Sequence, residues 1–254
     1  LKAALKRLLG LTSPKTHGPA LDQLTDVRAE DQEILAKVRR HTMTSNPRII
    51  TLLETVDYLV RAGIEGAFAE CGVWRGGSAM AMVLKLQSMG VNDRDIYLYD
   101  TFEGMTQPSE RDTSVFDRPA LETWKKYEAA AMKPWDFYFN SEIFNETDVR
   151  KFLLSSGYPP GRIHLVKGKV EDTIPGQAPQ QLALLRLDTD WYESTRHEMQ
   201  HLYPRIAIGG ALIIDDYGHW QGSRQAVDEY MSGAGVAPVL LNRIDYAARL
   251  AIKR

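Results

Sequence analysis

Ala69-Glu70-Cys71-Gly72-Val73-Trp74-Arg75-Gly76-Gly77-Ser78 is the stretch on which the reading of this chain turns. Gly66–Cys71 reads as a strand and Gly77–Ser88 as a helix, so the glycines fall where a strand meets a helix. Gly72 lets the backbone turn tightly, and Gly76-Gly77 let a ligand approach the helix start. Ser78 is placed to cap that helix or to bond a ligand. The spacing is not G-x-G-x-x-G, so the dinucleotide fingerprint is not met.

Working outward, strands are expected at Asp95–Asp100, Arg162–Lys167, Leu182–Asp188 and Gly210–Asp215. Helices are expected at 147–156, Glu193–Tyr203 and Ser223–Met231. Two strand-like runs, Pro238–Leu241 and Tyr246–Ile252, close the chain. Upstream, a helix over Glu30–Arg40 is followed by the polar stretch His41–Pro47. A second helix over 47–62 carries Ile49, Leu52, Leu53 and Val56 at helical spacing, with Pro47 at its first position. Residues 103–145 form a long polar insertion dotted with aromatics, with one helix around Ala120–Met132; segments of this length are usually lids or binding loops. Alternating strand and helix argues for an α/β fold with a parallel sheet covered on both faces. Ligands of such sheets sit beyond the carboxyl ends of the strands. The division expected is an N-terminal helical extension or lid (1–46) and one catalytic domain (47–254).

The chain's 254 residues suffice for one α/β domain with a sizeable core. A net charge of -2 gives no reason to expect nucleic acid as a partner. No apolar run reaches the roughly 18 to 20 residues of a membrane span, and no secretory signal is visible. Residues 1–11 are amphipathic and basic. They are read as a helix packed on the domain or on a neighbouring copy in a homo-oligomer, rather than on a membrane. The single cysteine excludes an internal disulfide and fits a reducing cytoplasm. Cys71 is expected to be a small buried residue rather than a nucleophile.

Carboxylates at strand ends carry the chemistry. Asp100 ends the next strand, 28 residues beyond Gly72, where it can accept both ribose hydroxyls of a nucleoside. Leu187-Asp188-Thr189-Asp190 and Ile213-Ile214-Asp215-Asp216 each follow an apolar strand. If those strands are neighbours, their ends lie about 5 Å apart. Like charges that close are costly unless a cation joins them or some are protonated. Oxygen ligands without Cys or clustered His favour Mg²⁺, with Ca²⁺ or Mn²⁺ as alternatives. A divalent cation lowers the pKa of a bound hydroxyl, and a free carboxylate nearby takes the proton. The plainer reading is a set of turn aspartates. Asp188-Thr189-Asp190 is also a D-x-D motif of the kind that holds nucleotide sugars in glycosyltransferases, but that reading leaves the Glu70–Gly77 turn and Asp100 unexplained.

His197-Glu198-Met199-Gln200-His201 matches the zinc-protease motif H-E-x-x-H. It is set aside because Met199, Leu202, Tyr203 and Ile206 share one face, the two histidines fall on the opposite one, and no third ligand suggests itself. His41 is a candidate for the cofactor site, and His219-Trp220 a candidate for substrate contact.

The ordered matches are His41-Thr42-Met43, Glu70 through Gly77, Asp100-Thr101-Phe102-Glu103-Gly104, Gly168 through Pro175, Leu185 through Asp190, and Gly209-Gly210 through Asp215-Asp216-Tyr217. Together they resemble the macrocin O-methyltransferase (TylF-type) family, over the chain from about His41 onward. The resemblance implies a Rossmann-like class I methyltransferase sheet, mostly parallel with a C-terminal antiparallel strand. It implies S-adenosylmethionine as cofactor, Mg²⁺ on Asp188, Asp215 and Asp216, and Asp190 as general base. The cofactor would contact Thr42, Met43, Glu70, Cys71, Gly72, Val73, Trp74, Asp100, Thr101, Phe102, Glu103 and Gly104, with Val170 and Glu171 near the adenine and Asn145 near the methionine end. The acceptor would be a sugar or glycoside hydroxyl. Cys71 stands where Thr is common in the family, and Thr189 where Gly is often found.

Overall fold

The computed structural model describes residues 25–254; the amphipathic segment 1–11 lies outside them. Five strands run parallel: β1 (Ala67–Cys71), β2 (Ile96–Asp100), β3 (Ile163–Lys167), β4 (Leu182–Leu187) and β5 (Ile206–Ile214). Two short strands follow, β6 (Asn242–Arg243) and β7 (Arg249–Ile252). The sheet order is β3-β2-β1-β4-β5-β7-β6, with β7 antiparallel to both of its neighbours. This is the expected mostly parallel sheet with an antiparallel C-terminal edge.

The period of two along the strands sorts side chains into two cores. Phe68, Leu98, Leu184 and Ile213 face the layer made by α1 (Ala29–Val38), α2 (Asn46–Arg61) and α3 (Gly77–Ser88). Ala69, Tyr99, Leu185 and Leu212 face the other layer, with Met199 from α8 (Tyr192–His201) and Val227 from α9 (Gln221–Met231). Every residue of β1 and β4 is buried, as a parallel strand covered on both faces requires. The N-terminal layer is locked by a buried charge: Lys85 Nζ of α3, 1% exposed, donates to Asp31 Oδ1 of α1 at 2.7 Å. No helix among the described residues is long and apolar enough to cross a membrane.

Three differences from the sequence reading have physical reasons. β5 begins at Ile206, four residues early, because the glycine pair is inside the strand: a Cβ on Gly210 would crowd Ile206 and the Ala183 carbonyl. The last strands are shorter than read, and Pro238–Leu241 is not one of them; the pairing segment is Asn242–Arg243. The insertion holds two helices, α4 (Ala120–Ala129) and α5 (Asp136–Phe139). A left-handed Ala131 (φ 49°) interrupts the run expected to reach Met132. α5 and α7 (Val170–Thr173) have four residues each, too few to show a helical period. The remaining helix, α6 (Glu146–Leu154), follows the insertion.

Candidate functional site

A cavity of about 310 Å³ opens beyond the carboxyl ends of β1 to β5. Loops after β1, β2 and β3 form one end of it, carrying Gly72 to Trp74, Asp100-Thr101 and Val170-Glu171. The aspartates after β4 and β5 form the other. The stretch His41–Thr44 before α2, the insertion and Tyr246 complete the walls.

Asp100 organises the first end. Its Oδ2 accepts the Val73 and Trp74 N–H groups at 2.7 and 3.0 Å, and its Oδ1 accepts the Phe102 N–H at 2.7 Å. Trp74 and Phe102 are both left-handed (φ 46° and 52°), a conformation that needs such support. Three backbone donors therefore take most of a carboxylate's roughly four acceptor positions. Asp100 thus shapes the loop as well as lining the cavity. Gly72 (φ 84°) passes so close to β4 that a Cβ would run into the Asp188 carbonyl. Gly77 behaves differently from expectation: its missing Cβ makes room for the backbone of His41 and for Thr42, not for a ligand. The glycine thus seats the strap that carries Thr42 and Met43 into the cavity wall.

Gly104 also lines the cavity; five other residues named from the sequence do not. Cys71 is buried in the sheet. Phe102 tilts against Phe144 in the core, and Glu103 points outward to Lys167 at 3.0 Å. Asn145 caps α6: its Oδ1 accepts the Asp148 N–H at 2.8 Å, and its amide donates to Asp148 and the Ser141 carbonyl. That capping role replaces the expected reach towards a cofactor. Glu70 lies behind the cavity, where Arg186 Nη1 donates to its Oε1 at 2.6 Å. Burial pushes Glu70 up to about 7 against the pull of Arg186.

The acidic end is a cluster. β4 and β5 are neighbours in register at Leu187 and Ile214, so Asp188 and Asp215 follow side by side. Carboxylate oxygens of Asp188, Asp215 and Asp216 lie within 4.8 Å of one another. Arg186, 2% exposed, donates to Asp188 (2.7 Å), Asp215 (2.6 Å) and the Thr44 hydroxyl (2.9 Å). Arg48 of α2 pairs with Asp215 and with Asp245 (2.7 Å). Two guanidinium groups thus hold Asp215 below the usual carboxylate range, in spite of its burial. Burial and mutual repulsion push Asp188 and Asp216 well above it. Asp190, left-handed at φ 67°, is raised to about 6 by burial, with pulls from Asp216, His219 and Trp220 in the other direction.

These residues fit a hard divalent cation. Asp216 Oδ2 is buried with no hydrogen-bond partner, and such an atom is costly unless something positive meets it. Both arginines were missed in the sequence reading. Arg186 left a signal, as a lone charge inside the apolar run Leu182–Leu187; Arg48, on an ordinary helix, left none.

Beside the cluster the wall is aromatic. Trp191 packs edge-on to Trp220 at 5.0 Å and tilts against Trp135 of the insertion at 5.8 Å. His219 is clasped at the rim: its Nε2 and Asp117 are 3.0 Å apart, its Nδ1 and the Tyr246 hydroxyl 3.0 Å, and Phe116 stacks on its ring. The H-E-x-x-H histidines gather no third ligand among the described residues. They are half-buried rather than fully in solvent, and His197 Nε2 is 2.9 Å from the Ile174 carbonyl.

Comparison with known proteins agrees with this geometry. The family model described as macrocin-O-methyltransferase (TylF) matches residues 14–251. Demethyldecarbamoylnovobiocin O-methyltransferase of Streptomyces niveus is 29% identical over 216 residues, covering 85% of this chain and 76% of that protein. The 8-demethyl-8-(2,3-dimethoxy-alpha-L-rhamnosyl)-tetracenomycin-C 4'-O-methyltransferase of Streptomyces olivaceus is 32% identical over 197 residues, covering 78% and 70%. Among solved structures, the O-methyltransferase NovP superposes with a TM-score of 0.70 at 28% identity, covering 84% of this chain and 82% of that one.

Proposed function

The chain belongs to the macrocin-O-methyltransferase family and is an S-adenosylmethionine-dependent O-methyltransferase, and from that premise we propose that it methylates one hydroxyl of an uncharged sugar or glycoside with the help of a divalent cation. The observation that carries the reading is the carboxylate cluster at the acidic end of the cavity, with its unpartnered Asp216 oxygen. S-Adenosylmethionine would supply an electrophilic methyl group on a positively charged sulfur. A divalent cation held by Asp188, Asp215 and Asp216 would lower the pKa of an acceptor hydroxyl.

The protein's own groups do the rest. Thr42, Met43 and the Gly72–Trp74 turn bound the cofactor end, and Val170-Glu171 flank its far side. Asp190 takes the hydroxyl proton; with a pKa of about 6 it is ionised at neutral pH yet basic enough to accept it. Trp135, Trp191 and Trp220 line the cavity, and apolar rings there suit the C–H face of a sugar and exclude water. The relatives named above act on glycosylated natural products by their names, which supports a glycoside acceptor here. The matched family and the relatives named above are methyltransferases, so glycosyl transfer gains no specific support.

Isothermal titration with S-adenosylhomocysteine, followed by a mass-shift screen of glycosides with and without Mg²⁺, tests this reading. Micromolar binding and a metal-dependent gain of one methyl group are expected. Binding of nucleotide sugars without S-adenosylhomocysteine binding would overturn it.

A further inference from the structure

The glutamate of the discarded H-E-x-x-H motif has an unassigned place in the structure. Glu198 is 0% exposed, and the functional reading above makes no use of it. The contacts that hold it are polar but uncharged. The Thr189 hydroxyl lies 3.0 Å from Oε1 and 3.2 Å from Oε2, and the Cys71 thiol is within hydrogen-bonding reach. Burial drives its carboxyl well above the usual range, which favours the neutral form. A buried carboxyl without a cationic partner is a cost to folding, and Thr189 is what it grips.

Thr189 is the middle residue of the turn that carries Asp188 and Asp190. Its carbonyl accepts the Trp191 N–H at 2.8 Å, and its amide nitrogen lies where Gly72 comes closest to the turn. The following residue, Asp190, occupies the left-handed region, which a non-glycine residue keeps only when its surroundings hold it there. The Thr189 side chain ties this turn to the buried face of α8, beside a longer contact from the Ser194 hydroxyl to the Thr189 carbonyl at 3.5 Å.

We propose that Glu198 is a positioning residue: through the Thr189 hydroxyl it fixes the Asp188–Asp190 turn so that the Asp190 carboxylate meets the acceptor hydroxyl. The inference rests on the reading of Asp190 as the base. A carboxylate displaced by about 1 Å is enough to cost on the order of 100-fold in rate, while ligand affinity, set elsewhere in the cavity, stays put.

Five variants test it. Glu198→Gln keeps an acceptor for the Thr189 hydroxyl and is expected to retain kcat within about threefold. Glu198→Leu and Thr189→Val break the same bond, and each is expected to lower kcat about 10- to 100-fold with KM for cofactor and acceptor within twofold. Their combination is expected to be no worse than either alone, as for two ends of one interaction. Thr189→Gly with Cys71→Thr returns a hydroxyl to Glu198 from β1 but leaves the turn unheld, so it is expected to stay impaired. Unchanged kcat in Thr189→Val, or additive losses in the double variant, would overturn the proposal. Should Glu198→Leu fail to fold, Thr189→Val carries the test alone.

Crystal structures of Thr189→Val and the parent read the turn without any substrate. Asp190 leaving the left-handed region, or its carboxylate moving by about 1 Å, is expected; a superimposable turn sinks the inference whatever the acceptor proves to be. A parent enzyme that methylates no glycoside, with the turn displaced as expected, would count against the function and not against the positioning.

Discussion

Asp190 sits where three influences meet: burial, the neighbouring Asp216, and the His219 ring at the cavity rim. A general base works deprotonated, and its carboxyl is raised to about 6. The turnover rate should therefore be level above that pH and fall about tenfold per unit below it. A bound divalent cation favours the ionised form and should move the inflection downward. Asp190→Asn should lower kcat by at least about 100-fold with S-adenosylhomocysteine affinity unchanged. A pH–rate profile and a calorimetric titration check both, and full activity in that variant would remove Asp190 from the role. This residue was legible in the sequence because it follows an apolar strand in a paired acidic motif. The residues that hold its neighbours were not: Arg48 on Asp215, Thr44 on Arg186 and Tyr246 on His219 reach the site only through tertiary packing, and no local pattern announces them.

Elements were legible where a period could be counted. The β1–turn–α3 unit, β2 and β4 stand within a residue of their expected ends. Short helices, the extra length of β5 and the final strands were not, because four residues hold no helical period and a glycine pair reads as a turn. The glycines are the sharpest element-scale test. Gly72→Ala would force a Cβ against the Asp188 carbonyl at a φ that suits only glycine. It should cost about 3 kcal/mol or more and disturb the metal end as well as the cofactor end, measured by denaturant unfolding and by loss of cation binding. The Lys85–Asp31 lock is a second test. Asp31→Leu alone leaves the buried ammonium with only the longer contacts to Glu30 (3.7 Å) and Asp57 (3.9 Å) and should cost up to about 3–5 kcal/mol. Lys85→Met added to it should recover most of that loss, because two apolar side chains then meet; a double variant as unstable as the single would show that the pair does more than neutralise itself.

Most of the buried carboxyls around the cavity act in one direction, Asp215 with its two guanidinium partners being the exception. Glu70, Asp188, Asp190, Asp216 and Glu198 are all raised in the folded protein. A raised carboxyl means that the folded state holds its proton where the unfolded chain has released it. The stability this confers is present below about pH 4.5 and is lost as pH rises through the folded value, about 7 for Glu70. The melting temperature should therefore fall between pH 5 and pH 8. Mg²⁺ should raise it more at pH 8 than at pH 5, and a chelator should abolish that difference; equal melting temperatures across this range would show the cluster to be compensated in another way. The α/β class, the parallel order and the side of the sheet that does the chemistry follow from alternation and strand-end carboxylates alone. The sharing of one guanidinium by Glu70, Asp188 and Asp215 does not, since it depends on strands 116 and 29 residues apart coming together around Arg186.

The insertion that walls the acceptor side is fastened at both ends by its own chemistry. Thr101 Oγ1 donates to the Gly104 carbonyl at 2.6 Å at its entry, and Asn145 caps α6 at its exit. Between those fastenings it contributes Trp135 and the Asp117 clasp to the cavity but supplies none of the clustered aspartates. On the proposed reading, part of the acceptor wall is therefore carried on a cassette, with Trp191 and Trp220 supplied from outside it. Recombination between relatives could exchange residues 105–144 while the sulfonium-facing half is inherited intact, which gives a lineage of such enzymes a route to new acceptors without rebuilding its catalyst.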